Sequence, residues 1–314
     1  MTRTVVIAVG GNSLIVDNAH QSVPDQYQAA QRTCSHIANL LKGSDLRLVV
    51  THGNGPQVGF ILRRSELAAR VLHQVPLDSC VADTQGALGY HLQRALDNEF
   101  RRQGMNRTCV TVVTQVVVDR DDPAFQRPDK PIGPFLTREQ AEEHRARDGW
   151  EVAEDAGRGW RRVVSSPMPR AIVELQAVKS LLDAGLVVVA VGGGGIAVVE
   201  DENGQLSGAS AVVDKDRASS LLAQKLGAEL LVISTAVEKV CLNYGRPDQR
   251  SLDSMTLAEA KRYLEEGHFK AGSMLPKVQA VIDFLEAGGR MAIITNPEHL
   301  ESALKGESGT RIER

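Results

Sequence analysis

Short apolar-rich runs recur along the chain at residues 5–9, 46–50, 110–118, 186–191, 230–233 and 291–294, each closed by glycine or a small polar cluster. Val/Ile-rich runs of this length, without polar alternation, predict strands buried on both faces, as in parallel sheets. Between them lie stretches with helical spacing. In 57–70, Val58, Ile61, Leu62, Leu67 and Ala68 form one stripe, and 171–184, 218–226, 257–264 and 278–287 behave alike. Strand and helix alternate nearly throughout, which predicts an α/β fold on an open, mostly parallel sheet.

One stretch breaks the alternation. From Asp119 to about Pro169 the chain is charged and proline-bearing, and both tryptophans, Trp150 and Trp160, fall inside it. Residues 150–152 and 160–164 flank a Gly157-Arg158-Gly159 turn, which predicts a hairpin. A loop this long usually carries structure or function of its own. The expectation is a single domain over 1–314 with a small protruding subdomain inserted at 120–166, placed as a lid.

Composition narrows the class. The chain has 314 residues and a net charge of −3, so it can bury a full core and shows no basic footprint for nucleic acid or membrane. Its four cysteines lie far apart without a C-x-x-C pair, which argues against a zinc ribbon or a disulfide framework and for a reducing compartment. The short apolar start and the lack of any membrane-length run lead to the expectation of a cytoplasmic enzyme.

The glycines suggest chemistry. Four glycine-rich turns are expected to follow strands: Gly10-Gly11-Asn12, His52-Gly53-Asn54-Gly55, the 192–195 run, and Gly272-Ser273-Met274, which precedes Pro276 at a helix start. At the carboxyl edge of a parallel sheet, such turns let backbone N–H groups approach an anion. Any one alone is better read as a tight turn; four on one edge predict a phosphate site. Lys215 and Lys277 stand at predicted helix starts, where the helix dipole disfavours a cation. A polyanion between them resolves that conflict, with Asp216 orienting both; the competing role for Asp216 is the N-cap of its helix. There is no Gly-Lys dipeptide for a Walker A loop, no H-E-x-x-H, no G-x-S-x-G and no metal-ligand spacing among the eight histidines. Gly192-x-Gly194-x-x-Ala197 formally matches a dinucleotide fingerprint, but residues 196–208 read as strand, polar turn and loop rather than the helix that motif needs.

The segments AVGGNSL, VVTHGNGPQVG, DTQGALGYHLQ, DPAFQRPDKPIGPF, EDAGRGWRRVVSSP, VGGGGIAVV, VVDKD and GHFKAGSMLPKV together resemble the carbamate kinases of the amino-acid kinase superfamily, nearly end to end. The resemblance implies an open αβα sandwich of about eight mostly parallel strands, a homodimer, and phosphoryl transfer between carbamoyl phosphate and ADP to give ATP and carbamate, with Mg2+. Carried over by position, Gly10, Gly11 and Asn12 would cradle the transferred phosphoryl group, and Gly53, Asn54 and Gly55 would line the carbamate end. Lys130 would act as a lid cation, and Lys215, Asp216 and Lys277 would manage phosphoryl charge. The nucleotide would lie over Gly194, Gly195, Ile196, Thr235, Ala236, Val240, Tyr244 and Met274, and no side chain is assigned to a metal. Departures from the usual pattern are Ser13, Ala197, Ala236, Glu238 and Leu275, none at a proposed catalytic group. His52 is expected to be a loop residue without a catalytic role. The resemblance leaves the source of carbamoyl phosphate open among arginine, agmatine, purine and allantoin breakdown. The alternatives are another acyl-phosphate-forming kinase of the superfamily, or a nucleotide-binding regulator without catalysis.

Overall fold

The computed structural model describes residues 3–11, 20, 22–155, 157, 159–270 and 272–314. Among these, eight strands form the main sheet in the order Ser254–Thr256, Thr310–Glu313, Met291–Thr295, Leu230–Ser234, Thr4–Val9, Arg47–His52, Val187–Val189 and Cys109–Thr111. Six run parallel; Thr310–Glu313 pairs antiparallel with Met291–Thr295 and parallel with Ser254–Thr256. All six residues of Thr4–Val9 are buried, as their unbroken apolar character requires. Val6 and Ala8 pack on one face with helices Leu175–Asp183, Lys215–Leu226 and Met274–Glu286. Val5, Ile7 and Val9 pack on the other with helices Val23–Leu41 and Leu77–Arg102. The fold is therefore a three-layer αβα sandwich.

Two expectations change. The 110–118 run is not one strand: Cys109–Thr111 edges the main sheet, while Gln115–Val118 enters a second, four-stranded sheet with Leu206–Gly208, Ile196–Glu200 and Pro169–Ile172. The break falls at Thr114, whose backbone N–H and C=O are both taken by the Gln85 side chain, at 2.8 and 2.9 Å. The helix expected over 171–184 begins only at Leu175, because Ile172 is needed opposite Val116 in that second sheet.

The inserted stretch carries a three-stranded antiparallel sheet of Lys130–Leu136, Trp160–Val164 and Val152–Glu154, with helix Arg138–Asp148 between. Thr137 and Gln140 form a capping box at that helix's start, and Gly149, at φ 67°, ends it. The expected hairpin is present: Val152–Glu154 pairs with Trp160–Val164, and Glu154 stands opposite Trp160. The insertion rests on helix Gln57–Ala68. A Cβ on Gly59 would stand 2.2 Å from Gly133 Cα, so these backbones meet where no side chain fits. Arg162 pairs with Glu66 beside that contact. No helix among the described residues is long and apolar enough to cross a membrane.

Candidate active site

The parallel order brings the carboxyl ends of Thr4–Val9, Arg47–His52 and Val187–Val189 side by side, and the glycine turns at 10–11, 53–55 and 192–195 leave from that edge. The fourth glycine turn differs from expectation: Gly272 follows helix Leu257–Glu265 rather than a strand, and it opens helix Met274–Glu286. All four turns nevertheless border one cleft of about 570 Å³, through Gly11, the 53–55 turn, Gly193 and Gly272. Lys130 and the rest of the 130–135 strand roof it from the insertion.

Charge is concentrated there. Lys215 begins helix Lys215–Leu226, and its Nζ lies 2.8 Å from Asp216 Oδ1. Lys277 Nζ donates to the other oxygen, Asp216 Oδ2, at 3.0 Å. Lys130 pairs with Asp214 Oδ2. Three ammonium groups and the Arg161 guanidinium thus face two carboxylates, and the cleft lining carries a net positive charge in a molecule whose net charge is −3. Burial raises the pKa of Asp216, but the Lys215 and Lys277 charges outweigh it and hold the carboxylate ionised. Asp214 behaves likewise: burial raises it, and the Lys130 and Lys277 charges bring it well below the usual range. Desolvation lowers Lys215, partly opposed by Asp216, whereas for Lys277 burial also lowers the pKa but the Asp216 charge and hydrogen bond, with the Asp214 charge, together outweigh it and the pKa rises.

The N-cap considered for Asp216 belongs to Asp214, whose Oδ1 accepts from the N–H groups of Asp216 and Arg217 at 2.9 and 3.2 Å. Asp216 is free to bridge the lysines. Asp214 is a cleft residue that the sequence reading misses, although a carboxylate directly before a helix start is an ordinary capping signal. Arg161, also missed, lines the cleft and donates from Nη2 to Gly133 O at 2.9 Å, steadying the roof.

Several expected site residues lie elsewhere. Gly10 is buried, and a Cβ there would meet Ser234 O at 2.7 Å. Gly194 and Gly195 are buried against Val213 O and Val116, with φ of 92° and 87°, so their glycine character serves packing and backbone conformation. Ile196 packs with Val58, Leu77 and Val212. Val240 is fully buried, and its N–H donates to Thr310 Oγ1 at 2.8 Å, which removes it from any ligand surface. Thr235, Ala236, Tyr244 and Met274 do not border the cleft; Tyr244 is exposed, with Lys270 Nζ 5.9 Å from its ring centre. Asn12 lies outside the described residues. His52 is a strand end rather than a loop residue, fully buried, with Nδ1 donating to Gly53 O at 2.9 Å. Burial, reinforced by the Lys215 charge, pushes its pKa down to about 4, so the ring is neutral at physiological pH.

Residues 3–296 match the amino acid kinase family. The chain belongs to the amino acid kinase family. Within that family it is 50% identical to the carbamate kinase-like protein YahI of Escherichia coli, with 99% of each chain covered. It is 45% identical to the carbamate kinase of Thermococcus kodakarensis, again with 99% of each covered. The solved carbamate kinase of Giardia lamblia bound to AMP-PNP superposes with a TM-score of 0.90 at 43% identity, covering 99% of this chain and 98% of that one. This amino acid kinase thus shares its architecture with nucleotide-binding relatives over its whole length.

Proposed function

We propose that this chain is a carbamate kinase, moving a phosphoryl group between carbamoyl phosphate and ADP to give ATP and carbamate, which decomposes to ammonia and carbon dioxide. The observation that carries this reading is the triad Lys215–Asp216–Lys277 beneath a glycine-rich edge, roofed by Lys130. Phosphoryl transfer asks little covalent work of a protein; it asks for fixed positive charge around the migrating group and alignment of the two oxygens. A terminal oxygen of ADP attacks phosphorus, the bond from phosphorus to the carbamoyl oxygen breaks, and carbamate leaves with that electron pair. Lys215 and Lys277 neutralise the charge spread over the phosphoryl oxygens. Asp216 keeps both ammonium groups in place, so little reorganisation is needed as charge develops. Lys130 and Gly11 close on the carbamoyl phosphate side, with the 120–166 insertion as the lid. The 53–55 turn holds the carbamate end, and the nucleotide is assigned to Thr235, Ala236, Tyr244 and Met274, beyond the lining of the cleft. No general base is required, because carbamate and the ADP phosphate are already anions.

Magnesium supplies further charge neutralisation on nucleotide phosphates. The carboxylates that line the cleft, Asp214 and Asp216, are each engaged by lysine, so the reading assigns the ion to the nucleotide phosphates. The reading also takes the chain as a cytoplasmic homodimer acting in breakdown of nitrogen compounds such as arginine. The test is donor discrimination: with ADP, carbamoyl phosphate should exceed acetyl phosphate in kcat/KM by at least about 100-fold. Equal use of the two would reject carbamate as the acceptor.

A further inference from the structure

We infer that Thr84 and Gln85, consecutive on helix Leu77–Arg102, are positioning residues that set the carbamate end of the cleft. The inference rests on the functional reading above. Both are essentially unexposed, and a buried polar side chain is retained only where its hydrogen bonds are met. Gln85 spends its carboxamide on two other segments: Nε2 donates to Thr114 O at 2.9 Å and Gly192 O at 2.8 Å, and Oε1 accepts from Thr114 N at 2.8 Å. Thr114 relays the hold, its Oγ1 accepting from Val191 N at 3.0 Å.

Val191 is the strained point. It is fully buried, with φ 52° and ψ 36°, a left-handed conformation that a β-branched residue avoids unless its surroundings impose it. Here the imposition comes from Thr114, which holds the Val191 N–H, and Gln85, which holds the Gly192 carbonyl. The strained turn delivers Gly193 to the cleft. Gly193 O accepts from Asn54 Nδ2 at 2.9 Å. A carbonyl can only accept, so the Asn54 amide is oriented: its Oδ1 faces Thr84, whose single hydroxyl proton has that oxygen as its nearest acceptor at 2.7 Å, with Val81 O at 2.8 Å and Cys80 O at 3.0 Å. Asn54 also borders the cleft, and only one of its amide N–H groups is used in these bonds, leaving the other for a ligand oxygen. Two neighbouring residues of one core helix thus fix two cleft loops, one through Asn54 and one through the 191–195 turn. Their hydrogen bonds run to Asn54, Thr114 and Gly192 and to none of the residues proposed for the nucleotide, so their loss should fall on carbamoyl phosphate and spare the nucleotide.

Thr84→Val removes the donated proton at nearly constant volume, and Thr84→Ser keeps it. Steady-state kinetics of the full-length enzyme should show the KM for carbamoyl phosphate rising at least tenfold in the valine variant, with the KM for ADP within twofold of wild type and serine restoring the first value to within threefold. Gln85→Met should lower kcat/KM for carbamoyl phosphate at least tenfold; the threonine pair decides if that variant does not fold. Equal shifts in both KM values, or serine no better than valine, would overturn the proposal. Calorimetry with inorganic phosphate separates this claim from the identity of the substrate. If wild type does not use carbamoyl phosphate, the functional reading falls. The positioning claim then stands on a tenfold weaker phosphate affinity in Thr84→Val, recovered in Thr84→Ser, and falls if that affinity is unchanged.

Discussion

Asp216 does at one position what separate groups would otherwise have to do. Its two oxygens hold two ammonium groups at 2.8 and 3.0 Å, and its own side chain is almost unexposed at the floor of the cleft. Asp216→Asn should lower kcat roughly 10²–10³-fold, since both lysines lose their anchor. It should also cost about 3 kcal/mol in urea unfolding, the usual penalty for stranding a buried charge. An unchanged kcat would remove Asp216 from the mechanism. His52 gives a pH prediction. Its pKa is about 4 in the fold against 6.5 in the open chain, so below pH 6.5 the unfolded state binds the extra proton and stability falls by about 1.4 kcal/mol per unit until about pH 4. His52→Gln should flatten urea midpoints between about pH 6.5 and 4.5 while the pH profile of kcat gains no inflection near 6.5. The lysines were legible in the sequence because a cation at a helix start contradicts the helix dipole. Val240 and the glycines at 194–195 were not, because motif position says nothing about whether a residue's neighbours bury it.

At the level of elements, the insertion depends on the approach of Gly59 to Gly133. A methyl group at Gly59 has no room against the Gly133 backbone, so Gly59→Ala should push the insertion outward. The expected result is a KM for carbamoyl phosphate raised at least fivefold with ADP affinity by calorimetry unchanged; a parallel loss of ADP affinity would mean that the whole site, not its roof, had moved. Removal of 121–166 should likewise leave nucleotide binding while abolishing use of carbamoyl phosphate. Central strands were readable because burial on both faces writes itself as unbroken Val and Ile. The split of 110–118 was not readable, since Gln85, about thirty residues earlier, decides it. The strand at Pro169–Ile172 was hidden for the same reason: its partner is Gln115–Val118, not a neighbour in sequence.

Across the whole molecule, a chain of net charge −3 concentrates net positive charge in one cleft at the carboxyl edge of its sheet. That contrast identifies the ligand as an anion and leaves its chemistry to be measured. The most direct measurement is ATP formation from ADP, magnesium and carbamoyl phosphate, coupled to hexokinase, in wild type and Lys277→Ala. The account predicts rapid ATP production by the wild type and loss of roughly three orders of magnitude in the variant. Absence of turnover in a wild-type protein that still binds ADP would contradict it.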